Sequence, residues 1–344
     1  VRVLVFGAGA IGTYIGGSLA LQKHSVTFIE REQPAAELRQ RGLFLRLNDQ
    51  EYHVPNPQVV TSVENALAGG DYDVALFAMK SFDTAGALQS IFPFRQHFPP
   101  ILSLQNGVEN EGVIEQTLGN GKAIAASVTT AVGRRGIGNI NVERLRGVGI
   151  AAGHPLSQAL VSAMQTAGLN ASLFPDAADM KWSKMLTNLL ANASSAILDM
   201  PPAAIFAHPQ LYALEVAQLR ETLAVMKAQN IHVVDLPRTH VRVLAMVAQA
   251  LPSALSRPFA ARVIGKSRGG KMPSFHIDLH NGRGQSEVDF LNGAVVRFGE
   301  RFGVSTPVNR MLNDTLLALS RGELPLDTYA QKPEKWMTAC REAA

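Results

Sequence analysis

Cysteine is almost missing from this chain: Cys340 is the only one in 344 residues. A single thiol rules out an intramolecular disulfide and a cysteine-based metal site within one protomer, which fits a reducing, cytoplasmic setting. Long hydrophobic runs are also missing, and nothing approaches the roughly 20 apolar residues that would cross a bilayer. Residues 1–21 are apolar enough to imitate a secretory leader, but an early arginine and loop-forming glycines mark them as folded structure. Charge is sparse, at 17% against 47% hydrophobic residues, so little of the chain can be disordered. Blocks of like charge are absent. The net charge of +4 is spread along the chain and implies mild attraction for anionic ligands, with no patch for nucleic acid. Internal repeats and low-complexity tracts are absent as well.

What is present is enough material for two cores. Single cores stop growing near about 250–300 residues, and the texture of the sequence changes near residue 175. Before that point apolar β-rich runs at 1–6, 25–30, 74–79, 101–104 and 123–128 alternate with helix-compatible segments. That alternation predicts an α/β domain with a mainly parallel sheet over residues 1–175. Beyond it, apolar residues recur at three- and four-residue spacing in 182–198, 210–229, 238–251, 286–302 and 307–319. Residues 176–344 are therefore predicted to be all-helical. Asn230 stands where a helix should stop, and Asn tolerates the left-handed cap conformation. Residues 251–273 hold three prolines among Gly, Ser, Arg and Lys, and predict a loop or a broken helix.

Gly7-Ala8-Gly9-Ala10-Ile11-Gly12 follows the first strand run and opens the first helix. In that context G-x-G-x-x-G is a dinucleotide-binding turn: Gly7 allows the tight bend, Gly9 lets backbone approach a pyrophosphate, and Gly12 lets helix and strand pack closely. The helix N-terminus then presents unpaired N–H groups to the phosphates. At the end of the second strand Glu30 and Arg31 argue in opposite directions. An acid there accepts hydrogen bonds from a ribose 2′-hydroxyl, as in NAD, whereas an arginine pairs with the 2′-phosphate of NADP.

In Trp182-Ser183-Lys184-Met185-Leu186-Thr187-Asn188-Leu189-Leu190-Ala191-Asn192, the residues Lys184, Asn188 and Asn192 lie at i, i+4 and i+8 of the expected helix and share a face. A lysine ammonium can stabilise the negative charge that develops on a carbonyl oxygen during hydride addition and then protonate it. On spacing alone, a solvated helix face reads the same way. Lys80 and Asn106 follow two expected parallel strands, where open α/β sheets bind ligands. An exposed charge and an Asn-Gly turn are the plain alternatives.

Taken in order, the glycine turn, Lys80, Gln105-Asn106-Gly107, the Lys184/Asn188/Asn192 helix, Ser286-Glu287-Val288-Asp289-Phe290-Leu291-Asn292-Gly293 and Gly303-Val304-Ser305-Thr306-Pro307 resemble the ketopantoate reductases (2-dehydropantoate 2-reductases) over nearly the whole chain. The resemblance implies an N-terminal Rossmann-like dinucleotide-binding domain followed by an all-α C-terminal domain of the 6-phosphogluconate dehydrogenase C-terminal type. It further implies NADPH-dependent reduction of 2-dehydropantoate to (R)-pantoate, in pantothenate and coenzyme A biosynthesis, with the keto acid bound between the domains. On this likeness Lys184 is the general acid, and Glu287 holds the lysine and contacts the substrate hydroxyl and the cofactor. Asn106, Asn188, Asn192 and Ser274 bind substrate, while Lys80 and Asn106 face the nicotinamide end of the cofactor. Arg31 matches the arginine for the 2′-phosphate.

The chain departs from the pattern at Glu30, where a small neutral residue is common, and at Asn192-Ala193, where many relatives have Asn-Pro. The segment between Ser274 and Glu287 differs in length, and the regions around 251–271 and after Leu324 are longer than in compact relatives, so the acyl group accepted can differ. Two other readings stay open beside this one. One is a paralogous NAD(P)-dependent reductase of another 2-keto acid or an opine-like substrate. The other is a dinucleotide-sensing protein that does no chemistry. Monomer and homodimer are both compatible with the sequence.

Overall fold

The computed structural model describes residues 1–250, 271–282 and 284–342. The chain forms two units, Val1–Lys181 with Asp235–Thr239, and Trp182–Val234 with His240–Ala344.

The first unit begins β1 (Arg2–Phe6), α1 (Ala10–Leu21), β2 (Ser25–Ile29), α2 (Glu32–Arg41), β3 (Leu43–Leu47), β4 (Gln50–Val54), β5 (Gln58–Val60) and α3 (Val63–Ala68). It continues with β6 (Val74–Phe77), α4 (Thr84–Ile91), β7 (Ile101–Ser103), α5 (Asn110–Leu118) and β8 (Ala123–Val128). Then come β9 (Ala131–Gly136), β10 (Asn139–Arg144), β11 (Val148–Ala151), α6 (Ser157–Thr166) and β12 (Ala171–Phe174). Helix α7 (Ala177–Leu189) follows, and the boundary between the units falls within it, after Lys181.

Eight strands form one sheet in the order β12-β11-β8-β7-β6-β1-β2-β5. The expected parallel arrangement holds except at β11, which runs antiparallel to β8. Strand periodicity explains the burial: Val3 and Val5 of β1 join a core with Phe28, Leu76 and Leu102, whereas Leu4 and Phe6 point to the other face and join Ala75, Phe77 and Ile101. Both faces are covered, so these strands read as continuous apolar runs. Each fully buried aliphatic or aromatic side chain here contributes about 1.5–3 kcal/mol.

A second, four-stranded sheet, β4-β3-β10-β9, was not expected. Its fully buried hydrophobic side chains are Leu43, Leu45 and Ile140, too few to give alternation in the sequence. Leu45 packs against α1 at Gly17, where an added Cβ would stand 2.8 Å from a Leu45 methyl group.

The second unit is helical throughout its described residues. Its helices are α8 (Asn192–Leu198), α9 (Pro202–Ala207), α10 (Pro209–Ala228), α11 (Val241–Ala250), α12 (Ser274–His280), α13 (Val288–Phe302), α14 (Pro307–Ser320) and α15 (Pro333–Glu342). Helix α10 ends beside Asn230 at φ +59°, the left-handed stop expected from its sequence. Trp182 stands edge-on to Phe298 with ring centroids 5.3 Å apart. The tail after Leu324 folds back, with Gln331 N–H donating to Leu198 O at 2.7 Å and Trp336 of α15 only 1% exposed. The loop expected at 251–273 lies, for residues 251–270, outside the described residues. None of the described helices is long and apolar enough to cross a membrane.

One expectation is corrected. The single helix expected over 182–198 is two helices, because Ala191 adopts φ +50°, ψ +21° between α7 and α8. The cause is Glu215 of α10, which is fully buried. Its Oε2 accepts the Ala191 N–H at 2.7 Å, and its Oε1 accepts the Ser194 hydroxyl. Buried donors matched to a buried carboxylate outweigh the roughly 1–2 kcal/mol that a left-handed alanine costs.

Candidate active site

In the first unit the parallel run of β7, β6, β1 and β2 brings four loops to one edge of the sheet. Gly7 leaves β1 at φ +92°, with its N–H donating to Ile29 O of β2 at 3.1 Å. Gly12 cannot be replaced without displacing backbone, since a Cβ there would sit 1.8 Å from Gly7 O. Gly9, the N-cap of α1, has the opposite surroundings: nothing lies within 4 Å of where its Cβ would be, and no side chain caps the helix. Uncapped first-turn amides facing open space fit the pyrophosphate of a dinucleotide.

At the end of β2, Glu30 Oε1 accepts the Ala8 N–H at 2.5 Å, and Oε2 accepts Arg31 N–H at 3.3 Å. The acid is thus bound to the glycine turn itself. Arg31 is exposed at the N-cap of α2, where its side chain can swing.

Lys80 and Asn106 end the loops after β6 and β7, and the structure ties these loops together. Gln105 Nε2 donates to Thr84 Oγ1 at 2.8 Å and to Lys80 O at 3.2 Å. Ser81 Oγ and Asn110 Nδ2 donate to Asn106 O at 2.8 and 2.7 Å. The turn continues through Gly107 at φ +94°. The glycine turn is adjacent, as a Cβ on Gly7 would lie 3.9 Å from Met79 Cβ.

Sequence reasoning missed the residue that fastens this edge. Lys181 is 5% exposed, and its ammonium reaches Gln105 O at 2.8 Å, Ala126 O at 3.4 Å and the Glu111 carboxylate at 2.8 Å. A buried lysine needs such partners, because leaving water unpaired costs several kcal/mol. Its signal in the sequence is a lysine directly before Trp182, three residues ahead of Lys184.

In the second unit Lys184 and Asn188 sit one turn apart on α7, both half-buried, while Met185, Leu186 and Leu189 are buried. Asn192 opens α8 and not the same helix, yet it stays linked: its Nδ2 donates to Asn188 O at 3.1 Å and to Ser274 Oγ at 3.4 Å. Its Oδ1 accepts Phe275 N–H of α12 at 3.1 Å. The carboxamide has two N–H groups and two lone pairs, so one lone pair remains, together with the N–H held by the long Ser274 contact. Asn188, Asn192 and Ser274 are therefore brought together, with Asn192 as the linking group. Glu287 is placed as the N-cap of α13, 2% exposed.

Residues 3–153 match the family model described as ketopantoate reductase PanE/ApbA, and residues 176–320 match that of the ketopantoate reductase PanE/ApbA C terminal. The chain belongs to the ketopantoate reductase family. Among curated relatives of the family, a 2-dehydropantoate 2-reductase of Pyrobaculum aerophilum is 30% identical over 73% of this chain and 78% of its own. The crystal structure of a PanE/ApbA family ketopantoate reductase from Ralstonia eutropha has a TM-score of 0.78 at 26% identity, covering 94% of this chain and 99% of that one. D-mandelate dehydrogenase, solved with NADH and anilino(oxo)acetate, shares the fold at a TM-score of 0.76 and 21% identity, covering 95% and 100% of the two chains. The chain is accordingly an oxidoreductase of this family, with a Rossmann-like unit and a helical C-terminal unit.

Proposed function

We propose that this protein reduces 2-dehydropantoate to (R)-pantoate with NADPH, the step that supplies pantothenate and coenzyme A biosynthesis. The observation that carries the reading is the Asn192 carboxamide bonded to the backbone carbonyl of Asn188 and to the Ser274 hydroxyl, with Lys184 one helical turn before Asn188. When bound, the reduced nicotinamide supplies the hydride to the C2 carbonyl. The amides at the start of α1, with Gly7, Ala8, Gly9, Ala10, Ile11 and Gly12, hold the pyrophosphate, and Arg31 pairs with the 2′-phosphate. Lys80 and Asn106, on loops fixed to each other, orient the nicotinamide end and the substrate. Lys184 stabilises the developing alkoxide and protonates it. Glu287, buried at the start of α13, holds the lysine and accepts the substrate hydroxyl. The remaining lone pair of Asn192 and the Ser274 hydroxyl fit a substrate bearing a carboxylate and a hydroxyl.

Lys184→Ala is expected to lower kcat with 2-dehydropantoate by about 10²–10⁴-fold while the Kd for the reduced cofactor stays unchanged. Normal turnover by that variant would remove the lysine from the chemistry.

A second reading of the cofactor is favoured by Glu30. Its carboxylate is fixed to the glycine turn at the end of β2, where it would accept a hydrogen bond from a free ribose 2′-hydroxyl and so favour NADH. The fold shared with D-mandelate dehydrogenase keeps an aromatic 2-keto acid as the alternative substrate class.

A further inference from the structure

The described residues contain one three-residue cluster with the donor set of a transition-metal site, made of residues given no role above. His276 and His280 stand at i and i+4 on α12, so their rings project from one face, with centroids 4.2 Å apart and planes at 40°. Asp199 is the C-cap of α8 at φ +50°, ψ +45°, and its Oδ1 lies 2.7 Å from His276 Nε2. One ligand atom from each of the three residues falls within 4.8 Å of the others.

We propose that Asp199, His276 and His280 bind one divalent ion of the zinc type. Two imidazole nitrogens and a carboxylate oxygen match zinc, cobalt or nickel, whereas magnesium and calcium take oxygen ligands. A tetrahedral ion with bonds of about 2.0–2.1 Å holds its ligand atoms about 3.3 Å apart. The cluster brackets that spacing, and small rotations of the side chains close it.

An Asp–His hydrogen bond alone accounts for His276 but not for His280, whose exposed ring lies tilted against its neighbour. The carboxylate is presented from a fixed backbone: the Leu198 and Asp199 carbonyls accept the Gln331 backbone and side-chain N–H groups. At the other end of the same helix pair, Asn192 of α8 is bonded to Phe275 N and Ser274 Oγ of α12. An ion here would therefore clip together two elements already registered by hydrogen bonds, a preorganised arrangement. Access is open, because the Asp199 side chain is 47% exposed and His280 lies at the surface, which leaves the fourth position to water.

The test is titration of the full-length, tag-free protein with Co²⁺, read by its visible d–d bands, and with Zn²⁺, read by calorimetry and thermal melting. One equivalent with bands of a nitrogen-ligated ion is expected, together with a higher melting midpoint in Zn²⁺. His280→Ala, a change at an exposed side chain, should weaken binding by more than about 100-fold and abolish the zinc-induced shift, while keeping the melting midpoint of the metal-free wild type. Asp199→Asn, which retains a residue suited to φ > 0, should weaken it as well. Absence of d–d bands in the wild type, or equal uptake by His280→Ala, would overturn the proposal.

Discussion

Glu30 and Arg31 stand where the proposed preference between the two cofactors would be set. Adjacent in sequence, they part in the structure: Glu30 turns inward onto the Ala8 amide, and Arg31 stays at the surface as the N-cap of α2. A 2′-phosphate bound at this edge would meet both, and like charges brought together cost up to several kcal/mol. Glu30→Gln is therefore expected to raise the ratio of kcat/KM for NADPH over NADH by roughly tenfold or more, about 1.4 kcal/mol. Arg31→Ala should lower the same ratio. Steady-state kinetics with both cofactors checks this, and an unchanged ratio in both variants would place the discrimination elsewhere. Lys181 teaches a related lesson. A charged residue can be as buried as the amide it fastens, here Gln105 next to Asn106, while the more conspicuous Lys184 lies one turn further along α7.

Among the elements, the α7–α8 junction carries the clearest physical argument. The apolar spacing of 182–198 runs through residues 190 and 191 without interruption, so periodicity alone reads one helix. The break is imposed by Glu215, whose carboxylate takes the Ala191 amide and the Ser194 hydroxyl and is also bonded by Gln218 Nε2. Residue 193 is the second of α8, a place where a proline would be tolerated because its N–H has no helical partner. The Asn-Ala of this chain thus reaches the same start of helix without the proline. Glu215→Gln replaces an acceptor oxygen by a donor and sets N–H against N–H. It should destabilise the protein by about 1–3 kcal/mol in denaturant unfolding, and a change of less than about 0.5 kcal/mol, the size of an ordinary surface substitution, would contradict the role given to that carboxylate. Strands β1, β2, β6, β7 and β8 of the main sheet and the glycine turn were legible because each is local, apolar runs of strand length and glycines at fixed offsets, whereas β5, β11 and β12 of the same sheet were not read from the sequence. The four-stranded sheet was not, since only Leu43, Leu45 and Ile140 mark its buried side. The Asp199–His276 approach was not either, as the partners are separated by 77 residues and meet through the packing of α8 on α12.

At the scale of the molecule, each unit holds its own share of the residues to which the proposed chemistry is given. The sheet edge of the first unit assembles the glycine turn, Lys80 and Asn106. The second unit assembles Lys184, Asn188, Asn192 and Ser274, with Glu287 buried at the start of α13. Most of these residues were named from the sequence because order and spacing follow the family. The hydrogen bonds that join Asn192 to Ser274, across 82 residues, come only from the fold. Substrate identity is a property of the whole, set by the keto acid's distal group as much as by the reacting carbonyl. The decisive measurement is oxidation of NADPH and of NADH by the purified protein with 2-dehydropantoate, set against a panel of other 2-keto acids that includes aromatic ones. The expected result is the highest kcat/KM with 2-dehydropantoate. No oxidation of either cofactor with that substrate, or a higher kcat/KM with an aromatic keto acid, would contradict it.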